Sequence, residues 1–338
     1  MRCKVWKHSL LLLCAALLCI LLSACGENKK HSLQFFSMDT LMQLTAYGDA
    51  EDALQKARTR IEELDEKLNA ADPSSAVSVL KSGDRLEKDL LVPFQTAQTI
   101  RTVSGGALDL TLYPLSDAWG FYSKQYRVPS AEEISALLRS RGTWSLEEDK
   151  LSCTDGTVFD LGSVAKGYAA QCAADILHKE GISSAVLALG GNVQTIGQKP
   201  DGSDWVVAVA DPLHPDDTVG ELHVGETAVV TSGSYQRNFT ENGKTYHHIL
   251  DPKTGYPADS GLLSVTVLHP DGTTADALST ALFINGVDKA KQLLYNSYLE
   301  ISFDAVFITE NLSIYVTPGI ADRFEKTNEQ YATPQILR

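Results

Sequence analysis

The sequence predicts an α+β fold in which mostly antiparallel β-sheet lobes carry inserted helices and form a single two-lobed unit. The second half of the chain consists of short β-rich runs separated by turn residues. Helical patterns interrupt these runs only at intervals, whereas a doubly wound parallel sheet requires regular strand–helix alternation. The chain has no internal repeat and no low-complexity tract.

Residues 1–24 are predicted to be a lipoprotein signal peptide. Three lysines or arginines precede an apolar run, Leu10 to Leu22, that is shorter than the ~20 residues of a membrane-spanning helix. The run ends in a lipobox, Leu22-Ser-Ala-Cys25. Lipid on Cys25 would hold the protein at the extracytoplasmic face of the cell membrane, or on the periplasmic side in a two-membrane bacterium. An ordinary signal, or a short anchor with an incidental cysteine, is the alternative.

The composition of the mature chain limits its partners. Removing residues 1–24 leaves 314 residues and takes the net charge from −14 to −17. This acidity argues against nucleic acid and against binding anionic lipid through the protein surface, which leaves the N-terminal lipid as the membrane contact. Cys153 and Cys172 remain beyond the lipid site, and they either pair in the oxidising compartment or are two idle thiols. No Cys/His cluster indicates a zinc site.

The first half of the mature chain is predicted to be mainly helical. An extended, hairpin-like stretch from Leu33 to Tyr47 follows a polar tether. The clearest helix spans Asp49–Asn69, because its apolar residues recur at spacings of three and four. Further helices are predicted at Leu90–Ser104, closed by a Gly-Gly pair, and at Ala131–Arg141. Residues Pro114–Pro129 between them are predicted to be a loop.

The second half is predicted to be mainly strands. The strands are expected at Ala185–Leu189, Trp205–Ala210, Glu221–Val224, Ala228–Ser232, Thr245–Leu250, Leu263–Leu268, Val306–Ile308 and Leu312–Val316. Two helices, Ser163–Glu180 and Thr274–Asn296, interrupt them, and the second has a predicted break near Asn285-Gly286.

The first candidate site is Asp160-Leu-Gly-Ser-Val-Ala-Lys-Gly-Tyr168. A predicted strand, Thr157–Leu161, enters a helix near Ser163, and a helix N-terminus offers free N–H donors to phosphate. Lys166 adds a cation, and Asp160 can accept from a ring N–H or a ribose hydroxyl. A plain N-cap at Ser163 with a solvated lysine is the alternative.

Two small-residue motifs follow strands and indicate close ligand approach. Leu189-Gly-Gly-Asn192 has paired glycines that let a ligand or a neighbouring strand reach the backbone. Ser232-Gly-Ser-Tyr235 places an aromatic ring beside small residues, which suits a stacked ring. A tight turn and a bulge are the respective structural alternatives.

His247 and His248 stand at a strand end before the turn Asp251-Pro-Lys-Thr-Gly255. One of two adjacent residues points to each face of a strand. A histidine is the expected general base if a hydroxyl must lose its proton near neutral pH. A structural role for both is the alternative.

Asp276 and Thr280 are the candidate metal ligands. At i and i+4 on a helix they share one face, and a carboxylate plus a hydroxyl suits Mg²⁺, which keeps waters and binds substrate phosphates. The alternative is an ordinary first-turn aspartate favoured by the helix dipole. Together the motifs suit cleavage of a pyrophosphate or transfer of its proximal phosphoryl group.

Taken in order, these motifs resemble the ApbE family of FAD:protein FMN transferases, from Met38 to about Val316. The resemblance implies an ApbE-like, T-fold-like domain over residues 33–325, between a lipidated tether (25–32) and a C-terminal tail (326–338). It implies that Mg²⁺ assists transfer of FMN from FAD to a Thr or Ser hydroxyl of an acceptor flavoprotein with an FMN-binding domain, with release of AMP.

The resemblance also implies the site residues. His248 is similar to the family's proposed base, and Mg²⁺ is expected on Asp276, Thr280 and Ser163, the last through its carbonyl. The expected FAD contacts are Met38, Ala107, Leu108, Asp109, Asp160, Lys166, His248 and Ile249.

One stretch departs from the family pattern. The family often has an aromatic residue before Asp-Pro, where this chain has Ala71. Loss of a stacking partner there raises hydrolysis of FAD to FMN and AMP as an alternative activity. Tyr113, Tyr122 or Tyr235 are candidates to close the pocket instead. A non-catalytic flavin-binding lipoprotein and a structural lipoprotein are the remaining alternatives.

Overall fold

The computed structural model describes residues 29–296 and 301–338. The predicted signal peptide and Cys25 lie outside the described residues. Six helices are present in the described part of the chain. They are α1 (Glu51–Leu68), α2 (Lys88–Val103), α3 (Tyr113–Ala118), α4 (Ala131–Ser140), α5 (Ala165–Lys179) and α6 (Gly272–Leu294). A 3₁₀ turn, Pro318–Ile320, follows near the C-terminus.

Sixteen strands are present in the same ranges. They are β1 (Lys30–Ser37), β2 (Thr40–Tyr47), β3 (Trp144–Glu147), β4 (Lys150–Cys153), β5 (Ser184–Leu189), β6 (Asn192–Gly197), β7 (Trp205–Ala210), β8 (Thr218–Val224), β9 (Thr227–Gly233), β10 (Asn238–Glu241), β11 (Lys244–His247), β12 (Leu262–His269), β13 (Asp304–Thr309), β14 (Ile314–Val316), β15 (Phe324–Lys326) and β16 (Gln335–Ile336).

A nine-stranded sheet in the order β1-β2-β5-β6-β9-β12-β13-β14-β16 forms the centre of the fold. Its neighbouring strands are antiparallel except for β14 and β16. The smaller sheet β15-β8-β7 and the hairpins β3-β4 and β10-β11 complete the strand pairing. The predicted α+β class with mostly antiparallel sheets is therefore confirmed.

Helices cover one face of the large sheet, and the three-stranded sheet covers the other. Val230 belongs to the helix-side core, whereas its neighbour Val229 belongs to the core shared with β7 and β8. This division follows from the alternation of side chains along a strand. A third, smaller core around Trp119 joins α3, α4 and the region of the β10-β11 hairpin.

The helical periodicity of α1 predicts its buried face correctly. Its buried residues are Ala53, Leu54, Ala57, Ile61, Leu64 and Leu68. The helix packs on α5, which in turn packs on α6. The predicted break in α6 is also confirmed, since Gly286 has φ 77° and ψ 177°.

Three local predictions are wrong. Residues 157–161 form no strand, and the backbone N–H of Asp160 instead donates to the Leu110 carbonyl at 2.7 Å. The predicted loop after residue 113 begins with α3. The strand before the histidine pair ends at His247, because beyond it Leu250 forms only an isolated bridge with Pro257.

Several features bear on anchoring and redox state. No helix among the described residues is long and apolar enough to cross a bilayer. Cys153 and Cys172 are both free thiols.

In the C-terminal stretch from residue 326, Gln335–Ile336 add a short strand to the large sheet, and the Tyr331 hydroxyl donates to the buried Asp211 carboxylate at 2.5 Å.

Candidate active site

A cavity of about 960 Å³ opens where the N-terminal parts of α5 and α6 meet loops from the sheet and the segment after α3. Every residue predicted to bind FAD or metal lines it. These residues are Met38, Ala107, Leu108, Asp109, Asp160, Ser163, Lys166, His248, Ile249, Asp276 and Thr280. The fold thus brings together positions more than 200 residues apart in sequence.

The turn between β1 and β2 carries Met38 and Asp39 into the cavity lining. Both have left-handed backbone angles, φ 48° and 57°. A two-residue hairpin turn of this kind usually contains glycine or asparagine, so the pair is conformationally costly. Asp65 of α1 holds the turn, because its Oδ2 accepts from the Ser37 hydroxyl at 2.8 Å and from the Met38 N–H at 2.7 Å.

Asp39 at the tip of this turn joins three separate segments at the cavity rim. Its carboxylate pairs with Lys124 at 3.0 Å and with Arg237 at 3.1 Å. All three residues line the cavity. The pairs are partly exposed, so each contributes little to the free energy of unfolding. Their main effect is to hold the rim segments together.

The carboxylate of Asp109 already has protein partners. Its Oδ1 accepts from the N–H and the hydroxyl of Thr111 at 3.1 and 3.0 Å and from the Trp144 indole at 3.3 Å. Arg101 and Arg141 face its Oδ2 at 3.9 and 3.7 Å. Asp109 therefore shapes the cavity wall with a carboxylate that is held in place from behind.

The segment before α5 presents Asp160, Ser163 and Lys166 to the cavity. The helix begins at Ala165 with Val164 at the N-cap, so the prediction of Ser163 as the helix start is wrong by two residues. Asp160 Oδ1 accepts from the Gly162 N–H at 2.8 Å. Burial, together with the Asp160 carboxylate, holds the pKa of Tyr122 well above its usual value.

The aromatic closure of the cavity is partly as predicted. Tyr122 and Tyr235 line it, as does Ala71, where an aromatic residue was expected from the family pattern. Tyr113 packs against Tyr122 with ring centroids 4.7 Å apart.

Asp276 and Thr280 face the cavity from one side of α6. The Asp276 side chain is buried, and its Oδ2 accepts from the Gly167 N–H of α5 at 2.8 Å. Thr280 lies beside Ser232 of β9, with 3.4 Å between the hydroxyl oxygens. The predicted metal ligands thus lie at the contact between α5, α6 and the sheet.

The two adjacent histidines have different surroundings. His247 is buried, its Nε2 donates to the Ala258 carbonyl at 3.1 Å, and its ring meets Phe283 edge-on. His248 lines the cavity. Its backbone N–H and its Nδ1 both point at the Arg237 carbonyl, at 3.0 and 3.3 Å. Because a carbonyl only accepts, Nδ1 carries the proton and Nε2 is left as the acceptor.

Electrostatics keep His248 neutral. Burial and the nearby charges of Arg237 and Lys166 lower its pKa from 6.5 to about 3. The pKa of His247 is also lowered, chiefly by burial. The imidazole of His248 is therefore available as a proton acceptor throughout the neutral range.

Comparison with known proteins identifies the family of this chain. A family profile described as the ApbE family matches residues 38–303.

The chain belongs to the ApbE family.

Relatives and solved structures agree with this assignment. An FAD:protein FMN transferase of Klebsiella pneumoniae is 34% identical over 243 residues, which cover 70% of this chain and 74% of the relative. One from Haemophilus influenzae is 28% identical and covers 89% of this chain and 95% of the relative. The ApbE protein of Thermotoga maritima superposes with a TM-score of 0.78 at 28% identity, over 88% of this chain and 100% of that one. The predicted family and enzyme class, a transferase, are confirmed.

Within this ApbE fold, three cavity residues were not predicted. Asp65 holds the Met38 turn, Arg237 contributes the carbonyl that orients His248, and Asn192 follows the Gly-Gly turn. A helical aspartate such as Asp65 cannot be told from a solvated one by sequence. The Leu-Gly-Gly-Asn motif did mark its region, although it did not identify the asparagine.

Proposed function

We propose that the protein transfers FMN from FAD to a Thr or Ser hydroxyl of an acceptor flavoprotein, with the help of Mg²⁺ and with release of AMP. The observation that carries the proposal is the position of His248. Its acceptor nitrogen has no hydrogen-bond partner among the described residues, and His248 lines a cavity whose wall also carries Lys166, Asp276 and Thr280. A base, a cation and hard oxygen ligands are the groups that phosphoryl transfer requires.

The residues present fit a magnesium ion. The carboxylate of Asp276, the hydroxyl of Thr280 and the backbone carbonyl of Ser163 would hold it, and a few protein oxygens with waters and substrate phosphates are the usual environment of Mg²⁺. Among residues 29–296 and 301–338, no three His, Cys, Asp or Glu side chains are grouped to hold a metal. When bound, the ion would neutralise charge on the diphosphate.

The proposed reaction proceeds by direct displacement. His248 Nε2 accepts the proton of the acceptor hydroxyl, whose oxygen attacks the FMN-side phosphorus of FAD. The bond from this phosphorus to the bridging oxygen breaks, and AMP leaves with that oxygen. Lys166 stabilises the negative charge of the diphosphate.

The low pKa of His248 has a consequence for this step. Two of its causes are the positive charges of Arg237 and Lys166. An anionic diphosphate in the cavity offsets those charges and raises the pKa. His248 therefore becomes a stronger base only after FAD has bound, which couples deprotonation to the presence of the substrate.

Hydrolysis of FAD to FMN and AMP is a second candidate activity. Ala71 lines the cavity and is exposed where a stacking aromatic residue is common in the family. A less restrained FAD would leave room for water in place of the acceptor hydroxyl. We further propose that Cys25 carries the lipid that holds the enzyme at the extracytoplasmic face of the membrane.

The test combines residues 26–338 with FAD, MgCl₂ and an FMN-binding-domain acceptor, with and without EDTA. An FMN-sized mass gain of the acceptor that requires Mg²⁺ supports the transferase. AMP release without modification supports hydrolysis, and bound FAD without either product supports a carrier.

Asp276→Asn tests the metal assignment. We expect at least about a 100-fold loss of Mg²⁺-dependent transfer, because a carboxylate ligand is lost. Asp288→Asn, on the exposed surface of the same helix, is the matched control and should retain wild-type activity. Full activity of Asp276→Asn at the wild-type Mg²⁺ concentration would show that Asp276 is not a ligand.

A further inference from the structure

Asn192 at the start of β6 is a buried side chain with an unused hydrogen-bond donor. It is 2% exposed, and its Nδ2 has no partner among the described residues. A buried donor without a partner is unfavourable by about 1–3 kcal/mol. The side chain also lines the cavity. Because the Nδ2 atom itself is buried, a ligand atom must sit directly against this part of the wall to satisfy the donor that the protein leaves open.

Strand register places Asn192 at the level of Asp276. Across the β6-β9 pair, Gln194 lies opposite Ala228 and Asn192 lies opposite Val230. The Gln194 end of this paired stretch lies next to the start of α6, since a Cβ added to Gly272 would lie 3.2 Å from Gln194 Oε1.

The other end of the row is fixed by a contact between β9 and α6. Ser232, two residues beyond Val230, lies 3.4 Å from Thr280. Ala228, Val230 and Ser232 form a row along β9, and Gly272, Asp276 and Thr280 form a row along α6. Two residues of strand advance by about 6.6 Å and four residues of helix by about 6 Å, so the two rows have nearly equal spacing. By this spacing, the register position of Asn192 corresponds to the middle position of the helix row, Asp276.

The turn before Asn192 allows no side chain. Gly190 has φ +67°, and a Cβ on Gly191 would lie 2.6 Å from Gln236 Nε2 and 3.0 Å from the Thr231 carbonyl. The paired glycines thus let the chain turn tightly between β5 and β6. This turn places Asn192 at the cavity wall.

We propose that Asn192 donates a hydrogen bond to a phosphate oxygen of the FAD diphosphate. The assignment rests on the proposed function, because it is the diphosphate that Asp276 and Thr280 would hold through Mg²⁺. A neutral amide donor suits this position. It satisfies a phosphate oxygen and does not repel a metal ion, whereas a second lysine would repel it.

The test measures dissociation constants in MgCl₂ for FAD, ADP and riboflavin by calorimetry or flavin fluorescence. Asn192→Leu keeps the approximate shape and removes the donor, and Asn192→Asp replaces the donor with a negative charge. We expect FAD and ADP to bind about tenfold or more weakly to Asn192→Leu, and more weakly still to Asn192→Asp. Riboflavin, which lacks phosphate, should bind as it does to the wild type.

Gln194→Ala is the matched control. Gln194 is on the same strand and face and is 3% exposed, and its Oε1 has no partner in the part of the chain that the structure describes, but it does not line the cavity. Its FAD and ADP affinities should stay within about twofold of wild type. Melting temperatures of all variants report whether they fold. The Leu variant should match or exceed the wild type, since an unpaired buried donor has been removed.

Two outcomes would overturn this inference and leave the proposed function standing. Unchanged FAD and ADP affinity in both Asn192 variants would show that no contact is made. An equal loss of riboflavin affinity would place the contact on the flavin ring instead of the diphosphate. A wild-type protein that binds neither FAD nor ADP with Mg²⁺ would instead refute the proposed function itself.

Discussion

Gly167→Ala tests whether the close contact between α5 and α6 positions Asp276, the proposed metal ligand. A Cβ at residue 167 would lie 2.1 Å from the Gly272 carbonyl oxygen and 2.6 Å from the Asp276 Cβ. The helices must separate by about 1 Å to restore ordinary van der Waals distances. That separation also stretches the 2.8 Å hydrogen bond from the Gly167 N–H to Asp276.

The expected effects follow from these distances. Overpacking a core costs about 1–3 kcal/mol, and a weakened hydrogen bond to a carboxylate costs up to about 1.5–3 kcal/mol. Separation of the helices relieves the steric overlap but weakens the hydrogen bond, so the two costs do not add in full. We therefore expect a loss of about 3 kcal/mol in unfolding free energy. A displacement of about 1 Å at a catalytic group reduces activity by about 100-fold.

Urea unfolding followed by circular dichroism measures the stability of the Gly167→Ala variant, and a Mg²⁺ titration of the transfer rate measures the site. Gly225→Ala is the control, because a Cβ there meets nothing within 4 Å. It should change stability by less than about 0.5 kcal/mol. Wild-type stability and Mg²⁺ dependence in Gly167→Ala would refute the claim that this contact positions Asp276.

Two further predictions concern the base and the cavity wall. An ordinary imidazole is about 97% protonated at pH 5, whereas His248 with a pKa of about 3 stays neutral. The kcat/KM at pH 5 should therefore remain within about twofold of its value at pH 7. The lowered pKa of His248 should also make the free energy of unfolding fall at low pH. The reason is that only the unfolded imidazole gains a proton as the pH falls below 6.5. The wild type should thus lose about 2 kcal/mol between pH 7 and pH 5 that His248→Gln does not lose, measured by urea unfolding. Arg141 donates to the Pro252 carbonyl at 2.7 Å and faces Asp109, so Arg141→Met should raise the KM for FAD about tenfold with kcat little changed, measured by steady-state kinetics.

Each of these predictions has an opposing outcome. A tenfold or greater fall in kcat/KM centred on pH 6.5, absent in His248→Gln, would show that the imidazole has an ordinary pKa. For the cavity wall, Arg139→Met on the exposed surface of α4 is the control. A fall in kcat at unchanged KM in Arg141→Met would contradict a role in holding the FAD cavity.

Local patterns in the sequence account for much of the fold. The spacing of apolar residues predicts α1 and its buried face, and Asn285-Gly286 marks the break in α6. These features depend on neighbours within one or two turns, so the sequence contains the information directly. The motifs also mark part of the cavity, because residues with unusual backbone freedom or charge stand at the ends of strands and helices. The remaining cavity residues, Met38, Ala107, Leu108, Asp109 and Ile249, follow from the resemblance to the ApbE family.

Other features depend on contacts that no local pattern encodes. The partners of the Asp109 carboxylate, the hold of Asp65 on the Met38 turn and the level of Asn192 against Asp276 arise from packing and strand register. Gly167 and Asp276 are 109 residues apart, yet one hydrogen bond joins them. The sequence by itself, read with the family resemblance, determined which residues line the cavity. Only the tertiary structure decided which carboxylates are already partnered and which donors stay open, because hydrogen-bond satisfaction is a property of the assembled core.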